Sequence, residues 1–293
     1  MTSTRQGASR HSLASLTLYS LIQKEPLHRQ QVLLNFLAPS IKETFPSQNP
    51  FFENWTGALW KLDEALDTIH PSWIAPCLLK KSSLEQKLYL SALTASQSTY
   101  LKKNLNFPAL PTHLTPVAYH FLRSLLSQEL IDLNSLVPRK ALQKSPFFSL
   151  LHCSYQEILR LVHHLGLRDL GSYLRLVIDK IILKNIEQAL SQEDWNIARK
   201  FVSTKDVTAM SHLGFESAHN DPEKLRLLIQ QRGINRLAKT LCQEEFSFIW
   251  YIEHIFDMDR GHFFIDRLNP EPAQTVYPLL KAQLLDTMHS IFG

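Results

Sequence analysis

Histidines and carboxylates gather most densely in Phe246–His262, FSFIWYIEHIFDMDRGH, where His254, Asp257, Asp259 and His262 stand in the order H-x2-D-x-D-x2-H. Imidazole and carboxylate are the donors a divalent cation takes, so metal ligation is the first chemistry to weigh. The spacing argues against it. On one continuous helix Asp259 faces away from His254, and Asp257 joins the set only if the helix breaks. The calcium-loop pattern fails as well, because Gly261 comes one place early and no closing glutamate follows. The expectation is no bound metal and a helix C-terminus rich in polar caps. His163 and His164 are adjacent, so they point to different faces and make no ligand pair.

Nucleophilic chemistry has no better footing. Cys153 follows His152, but a catalytic dyad is assembled in space and not by adjacency. The chain carries no G-x-S-x-G elbow, no G-x-x-x-x-G-K-[ST] loop and no G-x-G-x-x-G turn. Cys77, Cys153 and Cys242 have apolar neighbours and read as packing residues. Three widely spaced cysteines fit a reducing compartment better than a disulfide framework. Asp63-Glu64 and Glu244-Glu245 read as solvated helix faces. The expectation is a protein that is not an enzyme; the alternative is a helical hydrolase or transferase using His254 and Asp257.

Two aromatic constellations remain. In the first, Ser247, Trp250, His254 and Asp257 fall at helical spacing on an otherwise apolar helix, and the line continues to Arg260. Such a seam is either a buried polar network or a contact hot spot, in which Trp and Arg are enriched. The second is Ile69–Pro76, IHPSWIAP, where Pro71 and Pro76 bracket Trp73 after His70. Two rigid residues hold a large aromatic in a short turn, either as a core plug or as an anchor on a partner.

The elements that position these residues read as all-α: leucine dominates, valine is scarce and period-two alternation is hard to find. The pattern predicts an irregular multi-helix bundle of about twelve helices with no regular repeat. Expected helices are Leu13–Gln23, Arg29–Phe45, Trp55–Ile69, Leu84–Asn104, Val117–Gln128, Tyr155–Leu165, Arg168–Leu190, Glu193–Phe201, Pro222–Gln231, Ile234–Leu241, Phe246–Phe256 and Leu279–Phe292. Ser154 with Glu157 forms a capping box, Ser191 with Asp194 an acidic variant, and Pro116 and Pro222 suit the first helical position. Gly166 and Gly233 read as helix ends. The long helix Arg168–Leu190 carries Leu170, Leu174, Val177, Ile178, Ile181 and Ile182 on one broad stripe, which suits a central helix.

Residues 1–12 read as a disordered tail, with a transit peptide as the alternative, since no apolar h-region follows. A helical region over 13–106, a proline-rich linker at 107–116 and a C-terminal helical domain over 117–293 complete the expected organisation. With 44% hydrophobic and 20% charged residues the chain is of ordinary globular composition. Its net charge of +4 is scattered, so nucleic acid is not expected; a helical RNA-binding or regulatory protein would need a continuous basic face. No apolar run approaches the length of a membrane span.

At the two aromatic constellations a family comes into view. IHPSWIAP resembles the His-Pro-Ser turn of the small cytoplasmic adaptors of type III secretion sorting platforms, the "K" component. The stretch DPEKLRLLIQQRGINRLAKTLCQEEFSFIWYIEHIFDMDRG is similar to a helical module of the same family. The residues before about Glu53 have no counterpart in that pattern. The resemblance implies a non-enzymatic adaptor without cofactor, cytoplasmic and held at the inner face of the inner membrane through protein partners. Its implied partners are an inner-membrane ring protein and the pod and ATPase-stator components. The expected docking residues are His70, Pro71 and Trp73 at one corner and Trp250, His254, Asp257 and Arg260 at another.

Overall fold

The computed structural model describes residues 27–35, 65–105, 113–131, 136–142, 145–203, 214–269 and 274–292. The chain divides into two units, Met1–Asp63 and Glu64–Gly293. In the first, the described residues form helix α1 (Leu27–Asn35). In the second, residues 65–68 are helical. They are followed by α2 (Pro71–Leu79), α3 (Ser83–Ala92), α4 (Ala95–Leu105), α5 (Pro116–Leu130), α6 (Tyr155–Leu174) and α7 (Lys180–Ala189). The order ends with α8 (Gln192–Val202), α9 (Pro222–Leu241), α10 (Phe246–Ile255), α11 (Met258–Asp266) and α12 (Tyr277–Phe292). The fold is an irregular all-α bundle, with no strand among the described residues. The expected tail 1–12 and the expected helix Leu13–Gln23 lie outside them.

Side-chain caps set the helix starts. Ser154 Oγ accepts the Glu157 N–H, and the Glu157 carboxylate accepts the Ser154 N–H at 2.7 Å. Ser82 and Glu85 make the same reciprocal pair at α3. The expected helix Leu84–Asn104 is two helices, because Leu93 is extended and Thr94 Oγ1 accepts the N–H of Gln97. The Gln97 amide then donates to the carbonyls of Leu66 (2.8 Å) and Ile69 (2.9 Å). It thereby satisfies the open end of the helix before α2.

Gly166 and Gly233 do not end helices. They lie inside α6 and α9, where these helices cross with their backbones in contact. A Cβ on Gly166 would fall on the Ile229 carbonyl oxygen, and one on Gly233 on that of Val162. Glycine inside a helix costs about 1 kcal/mol against alanine, and here the close approach offsets it. Beside this crossing Asp169 is 1% exposed and Arg236 2% exposed. Asp169 accepts from Arg236 Nε at 3.0 Å and from Arg232 Nε at 3.2 Å. Burial of a carboxylate is tolerated because two guanidinium groups meet it.

The expected helix Arg168–Leu190 is also broken. α6 runs to Leu174, and Asp179 caps α7 by accepting the Ile181 N–H at 2.7 Å. The break turns Ile178 and Ile181, expected in the core, out to solvent.

One core spans the second unit on both sides of residues 107–116: Leu66, Ile74, Leu78 and Leu126 pack in the same cluster as Ile158, Leu161, Phe248, Phe256 and Leu284. The division at Asp63 therefore does not coincide with the expected proline-rich linker. A second cluster joins Leu170, Tyr173, Ile186, Trp195, Phe215 and Leu225 at the far end of α6.

Candidate functional site

The segment IHPSWIAP is not an isolated turn. It opens α2, with His70 as N-cap and Pro71 at the first helical position, where proline's missing N–H costs nothing. Pro76 sits inside the helix, so it has no N–H to give to the Ser72 carbonyl. His70 Nδ1 accepts the Ser72 N–H at 3.3 Å and lies 2.9 Å from Ser72 Oγ. Ser72 Oγ in turn accepts the Met258 N–H at 2.9 Å, which joins α2 to the start of α11.

The segment Phe246–His262 is likewise two elements. Phe256 is extended and Asp257 is the N-cap of α11, accepting the Arg260 N–H at 3.2 Å. Ser247, Trp250 and His254 keep the expected shared face of α10, whereas Asp257 and Arg260 belong to the next helix. The five therefore do not form one helical stripe.

The two constellations meet. The His254 imidazole is sandwiched between two indoles, with ring centroids 3.8 Å from Trp250 (planes at 20°) and 4.4 Å from Trp73 (27°). His262 meets the Trp73 ring edge-on at 5.0 Å. Trp73 Nε1 donates to the Phe256 carbonyl at 2.9 Å, and the His70 N–H donates to the His254 carbonyl at 2.7 Å. Gly261 makes room for this packing: a Cβ there would lie 2.6 Å from Trp73 Cζ2 and 2.8 Å from the Glu253 carbonyl oxygen. Asp257 Oδ2 accepts from Tyr155 Oη at 2.8 Å and Arg260 Nη1 at 2.6 Å, and Arg260 Nη2 reaches Gln230 Oε1 at 3.0 Å. Through Tyr155 and Gln230 the clasp is anchored on α6 and α9.

All seven residues expected at two corners, His70, Pro71, Trp73, Trp250, His254, Asp257 and Arg260, thus belong to one clasp. Sequence reasoning missed Ser72, Tyr155, Gly261 and His262 as its members. Ser72 and Gly261 stand inside the quoted motifs, but nothing around Tyr155 marks it as a partner of Asp257.

Burial pushes the His254 ring down to about 4, so it is neutral at pH 7. Its Nδ1–H donates to the Trp250 carbonyl at 2.8 Å. The Glu253 carboxyl lies 3.6 Å from the same nitrogen, but a neutral ring makes no ion pair with it. Burial holds Glu253 up at about 7. At Asp257 burial acts upward, but the hydrogen bonds from Arg260 and Tyr155 outweigh it and leave the carboxyl below its ordinary range. Burial followed by the bond to Asp257 raises Tyr155, and burial lowers His70.

A cavity of about 430 Å³ opens beside the clasp, lined by His70, Tyr100, Arg139, Cys153 and Tyr155 among others. His254 and Asp257 do not line it. Burial pushes the Cys153 thiol up to about 11, far from the thiolate that nucleophilic attack needs. Elsewhere His163 Nε2 pairs with Asp194 Oδ1 at 2.8 Å. Among the described residues no group of three or more His, Cys, Asp or Glu side chains is placed to hold a metal ion, and no helix is long and apolar enough to cross a membrane. No protein-family model matches the chain, and comparisons with curated proteins and with solved structures likewise find no match.

Proposed function

We propose that this chain is a non-enzymatic helical adaptor that bridges the inner-membrane ring to the pods of a type III secretion sorting platform. The observation that carries the reading is the joining of the two segments on which the resemblance rests. IHPSWIAP and the WYIEHIFDMDRG stretch are remote in sequence, yet the Trp73–His254–Trp250 stack and the Ser72–Met258 bond make them one structure. Two patterns that belong to one module are expected to pack together in this way.

The same clasp supports a role in contact. Trp73, Trp250, Asp257 and Arg260 are half-buried and His262 is exposed, a composition typical of contact hot spots. The internal hydrogen bonds of Asp257 and Arg260 hold these groups in place before a partner arrives, which lowers the ordering cost of binding.

The test is affinity purification of the tagged protein from its host after gentle, low-salt lysis, followed by mass spectrometry. Recovery of ring, pod and ATPase-stator components is the expected outcome. Recovery of no secretion component from cells that express the apparatus would overturn the assignment.

A further inference from the structure

The corner between α6 and α7 carries apolar side chains that are exposed among the described residues. α6 ends at Leu174, and the N–H groups of Leu176 and Val177 close on the carbonyls of Tyr173 (2.8 Å) and Leu174 (3.2 Å). Leu176 is 68% exposed, Ile178 95% and Ile181 70%. Ile186 and Ala189, on the other side of α7, are buried against the cluster that holds Tyr173 and Leu174. The helix is therefore fully docked by its inner face, and the outer apolar groups are surplus to the fold.

Charge identifies what would cover them. Arg175, Lys180 and Lys184 flank the corner and are exposed. Lys184 is three residues from Ile181 and so its neighbour on the helix surface. The one acid between Arg175 and Lys184 is Asp179, whose carboxylate is turned onto the N-terminus of its own helix, 2.7 Å from the Ile181 N–H. Glu187 lies one turn further on. Exposed apolar groups interspersed along the chain with exposed cations match a surface that is apolar beneath and anionic on top.

We propose that this corner inserts Leu176, Ile178 and Ile181 into an anionic lipid surface, with Arg175, Lys180 and Lys184 at the headgroups. A protein partner would have to supply a pocket shaped to an almost wholly exposed isoleucine. A bilayer takes protruding apolar groups without shape complementarity, and adds electrostatic attraction to basic residues at its surface. The proposal does not rest on the adaptor reading, and either can fail without the other.

Co-sedimentation of the full chain with vesicles of phosphatidylcholine alone, and of phosphatidylcholine mixed with phosphatidylserine, tests it. Binding to the mixed vesicles, reversed by salt, is the expected result. Ile178→Ser should weaken it at least about tenfold, and Lys180→Gln or Lys184→Gln about fivefold each. All three side chains are exposed, so circular dichroism should be unchanged. Absence of binding to anionic vesicles, or wild-type binding by Ile178→Ser, would overturn the proposal. So would self-association without lipid that Ile178→Ser abolishes, since it would assign the corner to a second copy of the chain.

Discussion

The imidazole of His254 lies face to face with the indole of Trp73, their centroids 4.4 Å apart. Trp250 covers the other face of the imidazole at 3.8 Å. A helix from the early part of the chain is thereby locked onto the aromatic helix near its end. Ring pairs of this kind are worth about 0.5–1.5 kcal/mol beyond the area they bury. The bond from Trp73 Nε1 to the Phe256 carbonyl fixes where the indole sits.

Trp73 should therefore matter more to stability than Trp250. Trp73→Ala loses the stack, the hydrogen bond and the contact with Gly261, for an expected cost of about 3 kcal/mol. Trp73→Phe keeps a ring but not the donor, and should cost about 1 kcal/mol. Trp250→Ala should cost about 1 kcal/mol and leave helicity intact. Urea denaturation of the three variants gives the ranking, and an unchanged midpoint for Trp73→Ala would contradict the clasp.

Two neighbours on α10 should pull the pH dependence of stability in opposite directions. His254 falls from an ordinary 6.5 to about 4 in the fold. The unfolded chain binds that proton more readily, so acidification from pH 6.5 toward 4 removes stability. Glu253 rises from 4.5 to about 7. The folded chain holds that proton more tightly, so stability falls as pH rises from 4.5 toward 7. Glu253→Gln removes the second slope. Its stability relative to wild type should grow between pH 4.5 and 7, by about 3 kcal/mol at most. Denaturation series at several pH values measure this, and a difference independent of pH would mean that Glu253 is not held protonated.

Helix propensity and packing predict opposite signs at Gly166 and Gly233. Alanine is the better helix former by about 1 kcal/mol, yet a Cβ at either position meets the backbone of the facing helix. Backbone cannot step aside as a side chain can. Gly166→Ala and Gly233→Ala should each destabilise by at least about 2 kcal/mol, read from the thermal midpoint. Stabilisation by either would show that α6 and α9 do not cross in contact.

Asp169 should be as sensitive for an electrostatic reason. Asp169→Ala leaves the Arg236 guanidinium buried without its carboxylate, at an expected cost of about 3–5 kcal/mol. Replacing Asp169 and Arg236 together by apolar residues should recover part of that loss. A double-mutant cycle checks this, and a coupling near zero would contradict the buried pair.

The α-helical class, most helix starts and the two segments that make up the clasp are legible in the sequence because caps, prolines and apolar periodicity are local signals. Ser154 with Glu157 forms the capping box that the spacing predicts. Where a local signal has two physical causes, the sequence misleads. A glycine interrupting a helical pattern reads as a helix end, but Gly166 and Gly233 serve a close crossing. A proline pair suggests a turn, but Pro71 starts α2 and Pro76 is tolerated inside it. The meeting of Trp73 with His254 and of Tyr155 with Asp257 has no local signal at all. It depends on how α2, α6, α10 and α11 pack around one core.

The most direct measurement is calorimetric titration of the purified protein with the cytoplasmic domain of an inner-membrane ring protein from the same host, using wild type and Trp250→Ala. Binding by the wild type, weakened at least about tenfold in a variant that still unfolds cooperatively, is the predicted result. No heat of binding with the folded wild type would contradict the ring-docking adaptor.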